Sequence, residues 1–412
     1  MPQDFCSFPR DEANIVIETE GVLNLLKSIN TSKCCGPDGI PGILLKTFAK
    51  CIVTSLASIF QYSLLTGTLP DIWKQAKVKP IFKKGSRNLP GNYRPVSLTC
   101  ITCKLLEHVI NKHIHSHLDK HNILADSQHG FRSLRSCETQ LVYVFNDLAY
   151  NREKGTITDV IILDFTKAFD TVNHRKLLFK INKLGINLQV INWIDSFLHD
   201  RRQIVVVDGK ESAPCLILSG VPQGSVLGPL LFLMYVNDLP SSVKSECRLF
   251  ADDALIYNCR NEKATLQEDL DKLASWSQIW QLSFNPSKCS VLTIGGSEQV
   301  YHLNNSLLKN VPSHPYLGEK FSSNLKWDKH IDKIESKANQ RLGMLKRVLK
   351  TADRKTRKIA YETLVRPVLE YGSQVWDPYK KKNIKRLEKV QNKALRFIFA
   401  IKKSSQLFKV TK

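Results

Sequence analysis

Two short apolar segments that contain aspartate stand out in the pattern of hydrophobic and polar positions. Residues 159–165 form an almost unbroken aliphatic run with Asp164 near its end, which predicts a strand buried on both faces with one carboxylate at its exit. Residues 248–257 carry Asp252 and Asp253 between two apolar runs. This pattern predicts a hairpin whose tip presents two carboxylates at the edge of a sheet.

Apolar residues at helical spacing predict several helices elsewhere in the chain. One runs from His174 to Leu184 and should end at Gly185. In the last quarter of the chain Asp353 can cap a helix that Pro367 should bend. A strand is predicted at residues 77–84. The other helical stripes run from Leu44 to Leu56, Leu266 to Trp280, Ile331 to Leu345, Ile359 to Val368 and Ile384 to Phe397.

A glycine-rich segment lies between the two acidic segments. Residues 219–229 contain three glycines and two prolines. The glycines allow the backbone to approach a ligand closely, and the prolines precede an apolar run from Leu230 that predicts a helix.

The Asp252-Asp253 pair has two readings. Taken alone, it suits an ordinary β-turn, because Asp tolerates the left-handed backbone conformation. Together with Asp164 and the glycine-rich segment, the pair instead favours a Mg²⁺ site, since Mg²⁺ binds one or two carboxylates along with substrate phosphates. Three carboxylates brought together need such a cation, and the pattern therefore indicates a nucleotidyl-transfer site.

The charge of the chain favours a polyanionic partner. Lys and Arg number 60 against 38 Asp and Glu, a formal net charge of +22, which implies attraction to nucleic acid without specifying a fold. The excess is concentrated at the C-terminus, where residues 320–412 hold 26 Lys and Arg against 8 Asp and Glu. These residues are the expected nucleic-acid-binding surface.

Other features of the composition indicate the compartment. No apolar run is long enough to span a bilayer, and the first residues lack the pattern of a signal peptide. The 11 cysteines lack a paired spacing and suit reduced thiols. We expect an intracellular protein without a membrane partner, with the nucleus as one location.

These motifs resemble those of reverse transcriptases from non-LTR retrotransposons, the long interspersed elements of the jockey type. The resemblance covers most of the chain and includes the three segments described above. It also includes residues 33–40, 92–98, 128–132, 163–170, 316–318 and 364–371.

The resemblance implies an α+β fold of the right-hand polymerase type. Such a fold has fingers, a palm built from an antiparallel sheet with flanking helices, and a helical thumb. We expect an N-terminal helical extension at residues 1–76, the fingers and palm at 77–320, and a basic thumb at 321–412 that is truncated at its C-terminus.

The resemblance also implies an activity, that of an RNA-directed DNA polymerase. This nucleotidyltransferase adds deoxynucleotides to a primer 3′-hydroxyl on an RNA template. Two Mg²⁺ ions, or Mn²⁺, would be held by Asp164, Asp252 and Asp253, and Lys288 would protonate the pyrophosphate. Asp170 could add a fourth ligand or support the turn that follows it.

The remaining site residues follow from the same resemblance. Phe169 would exclude a 2′-hydroxyl and so select deoxynucleotides. The nucleotide-binding residues implied are Phe165, Phe169, Gln223, Gly224, Arg94 and Arg132, and the primer-grip residues are Tyr316, Leu317 and Gly318. The chain departs from the family pattern at Glu319 and Lys320, where apolar residues are more common.

The expected partners are an RNA template, a DNA primer and deoxynucleoside triphosphates. The residues before Gly36 are too few for an endonuclease, so this activity is expected from another protein or a missing segment. Two alternatives remain open. An RNA-templated RNA polymerase should carry an acid at the position of Phe169, and an element relic that only binds nucleic acid would tolerate loss of the carboxylates.

Overall fold

The computed structural model describes residues 7–260 and 265–400. The helices of this part of the chain are α1 (Thr19–Ser28), α2 (Gly42–Thr47), α3 (Ala49–Thr66), α4 (Ile101–Lys120), α5 (Cys137–Glu153), α6 (His174–Lys183), α7 (Leu188–Leu198), α8 (Leu227–Val236), α9 (Leu266–Trp280), α10 (Asp328–Val348), α11 (Arg354–Leu364), α12 (Arg366–Glu370) and α13 (Lys381–Phe399).

The strands in the same residues are short, and most belong to two sheets. They are β1 (Gln75–Phe82), β2 (Tyr93–Leu98), β3 (Thr158–Asp164), β4 (Arg202–Val207), β5 (Lys210–Glu211), β6 (Cys215–Leu216), β7 (Glu246–Phe250), β8 (Asp253–Cys259), β9 (Ser290–Ile294), β10 (His302–Leu303), β11 (Ser306–Leu307), β12 (Lys309–Asn310), β13 (Ser313–Tyr316) and β14 (Glu319–Ser322). Helices together with mixed sheets give an α+β architecture, as predicted.

The sheet that carries the acidic residues has the strand order β12-β9-β3-β8-β7. β3 and β9 are antiparallel, with Thr158 opposite Ile294, whereas the edge strand β12 is parallel to β9. The middle of β3 and all of β9 are buried, as expected for strands covered on both faces. The prediction of an antiparallel sheet therefore holds for β3 and β9 and fails at the two-residue edge strand.

The other sheet has the order β2-β1-β4-β5, with β6 also paired to β4. β1 and β2 form an antiparallel hairpin in which Ile81 lies opposite Arg94. The remaining strands pair as two small hairpins, β10-β11 and β13-β14.

The chain forms two compact units, each built from three segments. The first unit comprises Met1–Ser133, Leu163–Ala254 and Glu268–Lys288, and the second comprises Leu134–Ile162, Leu255–Gln267 and Cys289–Lys412. The division predicted from the sequence, with boundaries at residues 76 and 320, stays a prediction. Residues 401–412 of the predicted thumb lie outside the described residues.

Each unit has its own core. In the first, α8 is buried on every side, which requires an apolar helix surrounded by other elements. In the second, the apolar face of α5 packs with strand residues and with α10 around Trp327 and Trp376. A further cluster joins α10, α11 and α13 through Leu342, Tyr361 and Val390.

Most predicted elements are confirmed, with shifts at their ends. α6 starts at His174, and Gly185 follows it with a positive φ of 75°. α8 starts at Leu227, three residues before the predicted Leu230. Pro367 does not bend one helix but lies in the first turn of α12, where its missing N–H has no partner to lose.

None of the helices within residues 7–260 and 265–400 has the length and apolar character needed to cross a lipid bilayer.

Candidate active site

The Asp252-Asp253 pair lies at the turn between neighbouring strands β7 and β8, as the sequence predicted. Ala251 begins this turn with a φ of +54° and is 5% exposed, whereas the side chains of Asp252 and Asp253 reach the surface. β3 is the other neighbour of β8 and ends at Asp164. Asp164 therefore stands at the end of β3, and Asp252 and Asp253 stand at the start of its neighbour β8.

The three carboxylates interact electrostatically. The protein around Asp253 desolvates its charged form, and Asp252 and Asp164 repel it, so that the pKa of Asp253 rises to about 6. Desolvation and Asp164 also raise the pKa of Asp252, while Arg94 and Lys83 oppose the rise. Desolvation and the repulsion between the carboxylates disfavour negative charge, and a bound cation would offset both.

Lys288 contacts this acidic group directly. Its Nζ lies 3.0 Å from Oδ2 of Asp164, and both side chains are partly exposed. The contact depends on the segment before Lys288, because the Asn285 N–H donates to the Asp164 carbonyl at 2.7 Å. Lys288 therefore lies beside one of the three predicted acids, and its role as proton donor stays a prediction.

Two residues of the 128–132 motif that had no predicted role, Gln128 and Gly130, hold the acidic turn in place. Gln128 Oε1 accepts hydrogen bonds from the Gly130 N–H at 2.8 Å and from the Ala251 N–H at 2.9 Å. A Cβ added at Gly130 would lie 2.4 Å from the Ala251 nitrogen. Gln128 and Gly130 thus position the residue immediately before Asp252.

The glycine-rich segment is fixed at two points, Asp170 and Ser97. The Gln223 side-chain amide donates to Oδ1 of Asp170 at 2.8 Å, and the backbone carbonyl of Gln223 accepts from the Ser97 N–H at 2.7 Å. Gly224 has a φ of +115°, and a Cβ there would lie 2.6 Å from the Ser97 carbonyl oxygen. These contacts favour a structural role for Asp170 over a role as a fourth metal ligand.

The two phenylalanines after Asp164 differ in position. Phe169 is half-buried and stacks on Phe232 with ring centroids 4.5 Å apart. The Phe165 ring is only 4% exposed and stacks on Phe284. The Phe165 side chain is therefore not free to bind the nucleotide, as had been predicted, because its ring packs in the core.

The two arginines predicted to bind nucleotide have different surroundings. Arg94 acts on the pKa of Asp252, as does Lys83, which the sequence analysis did not single out. Both belong to the β1-β2 hairpin or its loop. Arg132 instead donates to the carbonyls of Ala125, at 2.7 Å, and of Gln128, so that its guanidinium supports its own loop.

The predicted primer-grip residues form the tip of the β13-β14 hairpin in the second unit. Leu317 and Gly318 have φ of +45° and +95°, as in the two-residue turns typical of hairpins. The Tyr316 hydroxyl accepts from the Gln140 side chain at 2.9 Å. Glu319, where the chain departs from the family pattern, is fully buried with its Oε2 2.8 Å from His330 Nε2.

In the described part of the chain, no group of three or more His, Cys, Asp or Glu side chains forms a ready-made metal site. The donor set at the acidic turn nevertheless fits a hard cation, because it consists of carboxylates. Their raised pKa values show that negative charge there lacks sufficient compensation from the protein.

Comparison with known proteins places these residues in a family context. The profile of the family described as reverse transcriptase (RNA-dependent DNA polymerase) matches residues 81–343, more than half of the chain. A probable RNA-directed DNA polymerase from transposon BS of Drosophila melanogaster is 32% identical over 93% of this chain and 44% of its own length. The RNA-directed DNA polymerase from mobile element jockey of the same species is 29% identical over the same shares.

The chain spans less than half the length of these curated relatives. Among solved structures, a telomerase from Candida tropicalis in complex with a fragment of telomeric RNA aligns with a TM-score of 0.46 at 12% identity. That alignment covers 85% of this chain and 62% of the telomerase chain.

Proposed function

The chain belongs to the reverse transcriptase (RNA-dependent DNA polymerase) family, and we propose that it is the polymerase of a non-LTR retrotransposon. In this proposal it extends a DNA primer by copying an RNA template. The substrates, RNA and deoxynucleoside triphosphates, place the reaction inside the cell. The relatives whose names describe such an activity come from mobile elements.

The observation that supports this proposal most strongly is that Asp164, at the end of β3, raises the pKa of both Asp252 and Asp253, at the start of the neighbouring strand β8. Asp164, Asp252 and Asp253 would hold two Mg²⁺ ions, or Mn²⁺. When bound there, such ions would activate the primer 3′-hydroxyl and neutralise the charge that develops on the phosphates. A protein that only binds nucleic acid has no use for three acids that repel its ligand, and nothing in the structure favours that alternative.

Nucleotide binding is assigned to the residues that surround the carboxylates. Arg94 and Lys83 would meet the triphosphate, because their positive charges already act on Asp252 and arginine matches phosphate oxygens with two donors. Gln223 and Gly224 would line the nucleotide from the glycine-rich segment. Phe169 would close the space beside the sugar and so exclude ribonucleotides.

Lys288 is proposed as the proton donor to pyrophosphate. Its ammonium group lies 3.0 Å from Asp164, so it would be near the leaving phosphates if Asp164 holds a metal ion. In the same proposal Arg132 acts by supporting its loop, and Phe165 acts only through its backbone.

The second unit is assigned to the primer and template. Tyr316, Leu317 and Gly318 would contact the primer strand, and the basic helices α10, α11 and α13 would bind the phosphates of the duplex. In this scheme residues 1–76 are an extension, 77–320 the fingers and palm, and 321–412 the thumb. We assign no residue to DNA nicking, which an endonuclease partner or a further segment would supply.

Primer extension tests the proposal. The purified chain should extend a DNA primer on an RNA template with deoxynucleotides and Mg²⁺. Asp252→Ala should lower the rate by several orders of magnitude while leaving template binding nearly unchanged, because it removes stabilisation that arises only in the transition state. Asp119→Ala, at an exposed position of α4 where alanine suits the helix, is the matched control. Equal extension by the parent and Asp252→Ala would overturn the assignment.

A further inference from the structure

A buried carboxylate from a distant helix caps the N-terminus of α8. Glu107 lies in α4 and has no exposed surface. Its Oε2 accepts hydrogen bonds from the N–H groups of Val226, at 2.7 Å, and Leu227, at 3.1 Å. Val226 is the cap position of α8, and its own side chain makes no capping bond.

The first turn of α8 is satisfied only when Glu107 is included. The next N–H, from Gly228, is accepted by Ser225 Oγ at 2.9 Å, and residue 229 is a proline without an N–H. Unpaired N–H groups at a helix N-terminus are costly when buried, and the positive end of the helix favours a negative charge. Glu107 therefore completes the start of this helix.

Arg201 compensates the charge of Glu107. It is 1% exposed, it donates from Nη1 to the Phe197 carbonyl at 3.0 Å, and it opposes the rise in the pKa of Glu107 that burial causes. Burying a carboxylate and a guanidinium is costly. The position of the Glu107 carboxylate at the start of α8 therefore suggests a role beyond filling space.

The capped residues continue directly from the glycine-rich segment. Gln223 and Gly224 are separated from Val226 by one residue, and Ser225 Oγ also donates to the Pro222 carbonyl at 2.9 Å. On its other side the segment is held by Asp170 and Ser97. Glu107 thus holds the α8 end of a loop whose other contacts are with Asp170 and with Ser97 of β2.

We propose that Glu107 is a positioning residue that holds Gln223 and Gly224 in the conformation that binds the incoming nucleotide. This inference rests on the proposed polymerase function. Glu107 acts through the backbone of residues 226 and 227 and does not touch the substrate. Its loss should therefore weaken nucleotide binding more than it slows the chemical step.

Three variants separate this role from general stability. Glu107→Ala removes the acceptor, whereas Glu107→Gln keeps an amide oxygen that can accept both N–H groups. Ile110→Ala is the control, because Ile110 is also fully buried in α4 and its truncation destabilises the helix packing while it leaves the Glu107 carboxylate in place.

Steady-state primer extension and hydrogen exchange give independent readouts. For Glu107→Ala we expect KM for the deoxynucleotide to rise by about tenfold or more with a smaller change in kcat, and faster amide exchange in residues 219–227. Glu107→Gln should restore much of both. Ile110→Ala should change neither the KM nor the exchange of this segment.

Two results would overturn the inference. One is exchange of residues 219–227 in Glu107→Ala at the rate of the parent, and the other is an equal rise in KM for Ile110→Ala. A parent protein that extends no primer would instead refute the proposed function, and the exchange experiment would still decide whether Glu107 holds the loop.

Discussion

Gly130→Ala offers a steric test of how the acidic turn is positioned. The added Cβ would lie 2.4 Å from the Ala251 nitrogen, 3.0 Å from the Phe250 carbonyl carbon and 3.1 Å from the Ala251 Cα. All three are backbone atoms, which cannot rotate away. Gly130 does not have a positive φ, so the effect of alanine would be steric and not conformational.

The size of the effect follows from the overlap. Relief to ordinary contact requires the turn and the Gly130 segment to separate by about 1 Å, and a displacement of that size costs about a hundredfold in rate when it involves a catalytic group. Overpacking should also lower the free energy of unfolding by about 1–3 kcal/mol.

Single-turnover primer extension and thermal unfolding measure the two effects. Gly343→Ala is the control, because an added Cβ at that position in α10 meets nothing within 4 Å and alanine favours helix. Gly130→Ala with the parental rate and stability would show that the contact between Gly130 and Ala251 does not position Asp252.

Three further predictions concern other residues. The pKa of Asp253 is raised from 3.8 to about 6 in the folded protein. Protonated Asp253 therefore stabilises the folded state fully below pH 3.8, and this stabilisation is lost as the pH rises through about 6. Asp253→Asn should therefore raise the melting temperature of the metal-free protein more near pH 7.5 than near pH 5, and the opposite order in thermal melts would contradict this reading. Phe169→Ala should admit ribonucleotides, and unchanged sugar discrimination in competitive incorporation would remove Phe169 from its proposed role. Glu319→Ala leaves buried His330 without its partner and should cost about 1–3 kcal/mol in chemical denaturation, whereas Glu319→Gln should cost less; equal losses would argue against the pair.

Local sequence was sufficient for the elements that carry the acids. The aliphatic run before Asp164 and the apolar flanks of Asp252 each encode a strand by their own pattern. The predicted end of α6 at Gly185 likewise depends on a residue next to the helix. Such features need no knowledge of distant residues.

Contacts between residues that are far apart in the sequence could not be predicted from local patterns. The start of α8 at Leu227 depends on Glu107, more than a hundred residues earlier, so a pattern search placed it too late. The hydrogen bond from Ala251 to Gln128 is equally distant in sequence. The burial of Phe165 and the loop contacts of Arg132 could not be read from a family motif, because the motif gives no side-chain direction.

In the proposed mechanism Asp164, Asp252 and Asp253 form one divalent-cation site. Mn²⁺ binding to the purified protein, followed by electron paramagnetic resonance, measures this without requiring polymerase activity. The parent and Asp208→Asn should bind Mn²⁺ alike, whereas Asp164→Asn and Asp252→Asn should each bind it much more weakly. Unchanged Mn²⁺ affinity in both of these variants would show that the three carboxylates do not share a cation.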